Sequence, residues 1–206
     1  MDSKDTALHG LLMIFCTLIT AVGAQISFKV GPVPYTFQNY GLILAGLMLR
    51  PKCALMSQLL YILLIGLGLP IAAGFRGGPY ILVGHTSGYI WMFPVTSCIM
   101  SIISHTYLRT RGKDLDSIGR FDIMVLLLVS FISALPLYIV GGLVFIIYST
   151  PVALSDDFVH TLRILLEHSL ILNIPFIPQD LLMDHLMAII TAKHICRLLR
   201  VRGMIV

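Results

Sequence analysis

Charge is what this sequence has least of: Asp, Glu, Lys and Arg make up 12% of its 206 residues, against roughly a quarter in an ordinary soluble domain. With 57% hydrophobic residues and a mean hydropathy of +0.93, that scarcity rules out a soluble enzyme and marks an integral membrane protein. No GxxxxGK[ST] phosphate loop occurs, so the chain does not hydrolyse ATP by that route. Cysteine is sparse as well. Cys16, Cys53, Cys98 and Cys196 lie in or beside apolar runs with no CxxC pair, so they read as buried inert thiols, and neither metal nor cofactor is expected.

What is present is a succession of apolar runs, near 7–28, 36–49, 53–69, 84–108, 121–148 and 176–199. A hydrocarbon core of about 30 Å asks for roughly 17 to 25 residues per helix, so the second run is short. The expected architecture is all-α: a six-transmembrane-helix bundle forming a single membrane domain over 1–206, with no soluble domain. Small residues at Val22–Ala24 resemble a signal-peptide cleavage site, but Asp2 and Asp5 outnumber Lys4 where a signal would be positive, so the first run is expected to stay as a span.

Basic residues are retained on the cytoplasmic side. With both termini inside, the inner side holds Lys4, Arg50, Lys52, Arg109, Arg111, Lys113, Arg120, Lys193, Arg197, Arg200 and Arg202, and the outer side only Lys29, Arg76 and Arg163. The net charge of +4 is therefore a topology signal in a lipid bilayer and needs no nucleic acid. The stretch 155–172 alternates apolar and charged residues at helical spacing and reads as an amphipathic helix lying at the outer interface.

Two outer loops carry unusual chemistry. Gly31–Pro34 reads GPVP, whose prolines hold the residues before them extended and force a rigid non-helical turn. Pro70–Gly84 carries several glycines around Arg76 and Pro79, which permits close backbone approach. Both loops fall on the outer side, where together they would cover a ligand.

Five polar features lie near these loops. Asp180 follows Pro178 at the start of the last run; an intramembrane carboxylate is costly and points to function, although a helix N-terminus also favours one. Asp184 lies one turn on, either paired or lining the same cavity, while His185 and His194 read as packed or interfacial. Gly84-His85-Thr86-Ser87-Gly88-Tyr89 offers hydroxyls and free backbone N–H groups at a helix start, or else is an ordinary cap. Gln38 reads as a donor and acceptor for a polar ring, or as a helix-packing amide. Arg76 has the fork geometry for a carboxylate, or is a solvated loop arginine with Lys29 as its competitor.

In this order, AVGAQISF, GPVPYTFQ, LAGLMLR, LLYILLIGLGLPIAAG, GHTSGY and PFIPQDLL closely resemble the BioY family, the biotin-specific substrate-binding components (S components) of energy-coupling factor transporters. The resemblance spans nearly the whole chain. It implies a six-helix membrane fold with biotin held beneath the first and third loops, and a site drawn from Gln38, Arg76, Gly84, Thr86, Ser87, Tyr89, Trp91 and Asp180. It also implies partners, a transmembrane scaffold subunit and two ATPase subunits, docked on small residues of the first helix, here Thr17, Ala21, Thr20 and Ala24. The expected place is the bacterial plasma or inner membrane. Where the family reads GPTGGY this chain has GHTSGY, and where it reads LPVFAGG this chain has LPIAAGF, which moves the aromatic to Phe75.

Two other readings remain. One is a solitary biotin carrier without ATPases, self-associating as a homo-oligomer. The other is an intramembrane serine hydrolase using Ser87 with His105 or His185, although no glycine stands two before that serine and no histidine has a readable spacing to it.

Overall fold

The structure, a computed structural model, describes residues 3–29, 34–149 and 158–201. Helix α1 (Ser3–Gln25) leads into a short antiparallel ribbon, β1 (Ser27–Lys29) with β2 (Pro34–Thr36), in which Phe28 faces Tyr35. The first run is thus helical only to Gln25; its last residues pair as a strand, because the prolines that follow hold the chain extended. The turn itself, residues 30–33, lies outside the described residues.

Helix α2 (Gln38–Met48) and α3 (Pro51–Gly66) are separated by Leu49 and Arg50, both extended, as a residue ahead of Pro51 must be. A loop containing a 3-10 turn at Pro79–Val83 reaches α4 (Ser87–Thr110); a second 3-10 turn, Leu115–Ser117, precedes α5 (Arg120–Ser149). Then come α6 (Phe158–Asn173), the single turn α7 (Ile177–Gln179), a π-helical stretch Asp180–His185 and α8 (Leu186–Val201).

By length and composition, α1, α4 and α5 are able to cross a bilayer over Ala7–Gln25, Ser87–Thr110 and Arg120–Tyr148. At 1.5 Å per residue α2 is only about 17 Å long and α3 about 24 Å. Helix α2 does not need to match lipid, because Leu42, Ile43, Leu44, Ala45 and Leu47 are all 0% exposed and it forms the core around which α1, α3, α4 and α8 pack. A helix shielded by protein on every side has no hydrocarbon thickness to satisfy.

Glycines set the tightest approaches. A Cβ at Gly88 of α4 would lie 2.7 Å from Val144 Cβ, and one at Gly141 of α5 would fall inside the Tyr89 ring, so α4 and α5 close together only because both positions lack a side chain. Gly41 likewise admits Thr20 of α1.

Small residues on α1 serve the same purpose. Thr17, Thr20, Ala21 and Ala24 are 2%, 0%, 9% and 0% exposed, with Thr17 Oγ1 donating to Ser57 O (2.8 Å) and to Met13 O (3.0 Å). The expected partner-docking stripe therefore faces the bundle interior, where its slim side chains let α2 and α3 approach. The outward face of α1 carries Leu11, Ile14, Phe15, Leu18 and Val22 instead.

In α6 the residues Leu162, Leu166 and Ile171 are exposed and Ser169 is buried against α5; residues 155–157 of the expected amphipathic stretch lie outside the described residues. At the opposite end of the bundle from the outer loops, Arg200 pairs with Asp114 and Asp116, and Lys113 with Asp122 (2.7 Å). Donating a hydrogen bond to the Asp114 carboxylate raises the Arg200 pKa above its ordinary value.

Candidate binding site

Several segments converge at one end of the bundle: the strand β2, the start of α2, the loop 72–76 with the 3-10 turn that follows, the start of α4, Leu137 and Tyr138 of α5, the end of α6, and the approach to α7 and the π-helical stretch. Between them lies a cavity with about 780 Å³ of atom-free space, its open mouth included. Its walls are mixed: Ile81, Ile90, Phe93, Leu137 and Phe176 supply apolar surface, and Thr36, Gln38, Asn39, Arg76, Thr86, Tyr89, Tyr138, Asn173 and Asp180 supply polar groups.

Asp180 is the pivot. It opens the π-helical stretch, where i→i+5 bonding, as in Leu186 N to Leu181 O, widens the turn and sets Asp180, Asp184 and His185 all on the buried side. Such bulges recur at functional sites. Asn39 Nδ2 donates to Asp180 Oδ2 at 2.8 Å and the Tyr138 hydroxyl donates to the same oxygen at 2.7 Å. The other oxygen, Oδ1, is buried and has no hydrogen-bond partner among the described residues, although the residue lines the cavity and is only 2% exposed. An open acceptor of this kind costs about 1–3 kcal/mol until something donates to it.

A second chain of hydrogen bonds ties the walls together. Thr36 Oγ1 donates to Gln38 Oε1 (2.7 Å), Gln38 Nε2 to the Tyr61 hydroxyl (2.6 Å), and Tyr61 in turn to Ile71 O (3.1 Å). Gln38 therefore faces the cavity while bracing it, with one amide hydrogen and one lone pair to spare. Opposite, the Tyr89 hydroxyl donates to Asn173 Oδ1 (3.1 Å), and Asn173 Nδ2 donates to Tyr138 O (3.0 Å).

Arg76 stands at the mouth. Its Nε donates to Ala73 O (2.9 Å), no carboxylate pairs with it among the described residues, and the residue is exposed while lining the cavity.

Of the residues expected from sequence, Gln38, Arg76, Thr86, Tyr89 and Asp180 come together on this cavity, and Gly84, Ser87 and Trp91 do not line it. Ser87 is buried away from the cavity lining, beside Gly88 at the α4–α5 contact, and its N–H is taken by Gly84 O, as Tyr89 N–H is by Thr86 O. Trp91 is 46% exposed on the outside of α4, with Nε1 donating to Leu82 O (2.8 Å). At helical spacing Ile90 and Phe93 take the inward places and leave Trp91 outward.

Tyr35, Asn39, Tyr138 and Asn173 belong to the site without having been foreseen. Asn39 follows Gln38 directly, and Asn173 closes an amphipathic stretch where an amide among apolar residues is itself a signal. Tyr35 and Tyr138 carry no such mark, since an aromatic in an apolar run reads as packing.

Neither histidine meets Ser87. His105 Nε2 lies 3.0 Å from Leu47 O, and His185 Nδ1 lies 2.9 Å from Ser130 Oγ. His105 is eighteen residues along α4 from Ser87, about 27 Å at helical rise.

The sequence profile of the BioY family matches residues 1–200. The chain belongs to the BioY family. Among curated BioY relatives, "Probable biotin transporter BioY" of Pyrococcus horikoshii is 44% identical over 102 residues, 50% of this chain and 60% of the relative. "Biotin transporter BioY" of Thermotoga maritima is 38% identical over 91 residues, 44% of this chain and 53% of the relative. The chain thus spans about half the length of the curated relatives it matches. Its fold is that of a solved S-component for biotin from an ECF-type ABC transporter, with a TM-score of 0.76 over 96% of this chain and 95% of that one, at 21% identity.

Proposed function

We propose that this BioY-family chain is a biotin-binding membrane subunit that takes up the vitamin at the outer cavity and delivers it to the cytoplasm. A separate transmembrane scaffold and two ATPase subunits of an energy-coupling factor module supply the energy. The chain itself does no covalent chemistry. It works in the cell membrane with both termini inside.

One observation carries the reading: Asp180, whose buried Oδ1 has no hydrogen-bond partner among the described residues, lines the same cavity as Arg76, which pairs with no carboxylate among the described residues. Biotin is a ureido ring with N–H donors, a sulfur-containing apolar ring, a flexible hydrocarbon chain and a carboxylate. The ureido N–H completes Asp180, and the ureido carbonyl takes the spare amide hydrogen of Gln38. The apolar rings lie against Ile90, Phe93, Leu137 and Phe176, and the carboxylate meets the Arg76 fork in a charge-assisted pair. The names of the curated relatives and the fold of the solved S-component support the same ligand.

The test is equilibrium dialysis of labelled biotin against the detergent-purified chain, with desthiobiotin and thiamine as competitors. Saturable binding that biotin and desthiobiotin displace and thiamine does not is expected; absence of saturable binding rejects the reading. Coupling is tested separately. Loss of cellular uptake on ATP depletion and co-purification of an ATPase pair are expected, whereas uptake that survives depletion identifies a solitary carrier.

A further inference from the structure

Gln25 is the last residue of α1, directly before the ribbon, and its side chain reaches sideways into the other covering loop. Nε2 donates to Ile71 O at 3.2 Å and to Ala72 O at 3.1 Å, with Ala21 O of its own helix also within 3.2 Å. Oε1 accepts the backbone N–H of Phe75 at 2.9 Å. One amide thus clamps both ends of a five-residue stretch, Ile71 to Phe75.

That stretch needs clamping. Phe75 has φ of +54°, a conformation that a side-chain-bearing residue holds only where its surroundings fix it, and its ring is 72% exposed, so no packing does so. Its N–H donates across the fold to Gln25 Oε1. Just beyond, Arg76 pairs with Ala72 in a two-residue bridge (Ala72 N to Arg76 O, 2.9 Å; Arg76 N to Ala72 O, 3.3 Å), and its Nε leans on Ala73 O. The contacts that tie Arg76 to this loop, to Ala72 and to Ala73, therefore rest on backbone that Gln25 fixes. The long, flexible arginine stem has no ion pair among the described residues to hold it.

We propose that Gln25 is a positioning residue for the ligand's carboxylate: it touches no ligand, and it holds the loop 71–76 so that Arg76 presents its fork at the cavity mouth. This deepens the reading of the cavity as a site for biotin and rests on it. Because Gln25 is also where α1 passes into the ribbon, one side chain joins the two loops that flank the opening.

Two measurements on the full-length chain test it. Without ligand, amide hydrogen exchange at residues 71–76 is expected to rise in Gln25→Ala relative to the parent while the cores of α2 and α4 stay protected; unchanged exchange in the loop overturns the proposal. With ligand, affinities for biotin and for its neutral amide, which keeps the rings and removes the charge, are compared across the parent, Gln25→Ala, Arg76→Ala and the double variant. The parent is expected to prefer the acid. Gln25→Ala and Arg76→Ala are each expected to lose about tenfold of that preference, and the double variant no more than the larger single loss, as for two residues acting through one contact. Gln25→Glu, which keeps the acceptor for Phe75 N–H and loses the donor to Ile71 and Ala72, should fall between. Equal weakening of acid and amide in Gln25→Ala overturns the positioning role, since a merely loosened fold would do that. Failure of the parent to bind either compound rejects the biotin reading and leaves the exchange measurement to judge the clamp alone.

Discussion

The Tyr35 hydroxyl donates to Asp184 Oδ1 at 2.6 Å, across 149 positions of sequence, and so fastens the ribbon to the π-helical stretch ahead of α8. Asp184 is 0% exposed and its other oxygen has no hydrogen-bond partner among the described residues, so the Tyr35 bond is a major part of what makes that carboxylate tolerable in the interior. Tyr35→Phe is expected to destabilise the protein by about 1–3 kcal/mol, the cost of stripping a donor from a buried polar group. The apparent melting temperature in detergent reads it. Asp184→Asn, whose carbonyl still accepts from Tyr35, should melt above Asp184→Ala; the reverse order would mean that Tyr35 and Asp184 are independent.

Binding should depend on Asp180 in a way that separates its two oxygens. Oδ2 is already held by Asn39 and Tyr138, and Oδ1 is buried with no hydrogen-bond partner among the described residues. Asp180→Asn keeps the size of the side chain but removes the charge and puts an NH₂ where one acceptor stood. Biotin affinity is expected to drop at least tenfold, about 1.5–3 kcal/mol for a hydrogen bond to a charged group. Tyr138→Phe removes one of two donors to Oδ2 and should cost less. Equilibrium dialysis decides both, and undiminished affinity in Asp180→Asn would remove this residue from the site.

A substitution that touches no ligand should also reach the cavity. A methyl at Gly141 would occupy the space of the Tyr89 ring, which lines the cavity and donates to Asn173. Gly141→Ala is therefore expected to displace Tyr89, to weaken binding and to lower stability by about 1–3 kcal/mol, as overpacking does. Gly10→Ala is the control, because nothing lies within 4 Å of a Cβ there. Equal behaviour of the two variants would show that α4 and α5 have slack at this crossing.

The helical membrane class and the identity of most helices were legible in composition and apolar runs, because hydrocarbon imposes one rule on every exposed span. The convergence of Gln38, Arg76, Thr86, Tyr89 and Asp180 was legible too, since polar groups in such runs are rare enough to count individually. Facing was not. Thr17, Thr20, Ala21 and Ala24 are as small as a docking stripe requires, yet in this bundle they accommodate α2 and α3, and sequence does not distinguish an inward stripe of small residues from an outward one. The π-helical stretch was hidden for a related reason: Asp180–His185 has no residue that announces i→i+5 bonding, and its effect, bringing Asp180, Asp184 and His185 to one side, depends on partners from distant segments, Tyr35, Asn39, Tyr138 and Ser130.

Trp91 shows what facing means for a measurement. It is the single tryptophan, so the intrinsic fluorescence of the protein excited at the indole band reports on one place. Its indole lies on the outside of α4, 46% exposed, with Nε1 donating to Leu82 O, an arrangement typical of an aromatic at a membrane interface. Brominated phospholipids in reconstituted vesicles are therefore expected to quench it strongly. Saturating biotin should change its emission only slightly, because Ile90 and Phe93, not Trp91, line the cavity. Trp91→Phe should accordingly leave biotin affinity within about twofold of the parent. Strong saturable quenching by biotin together with protection from brominated lipid would require α4 to turn on binding and bring Trp91 inward, and that outcome would replace the arrangement of α4 described here as the ligand-bound one.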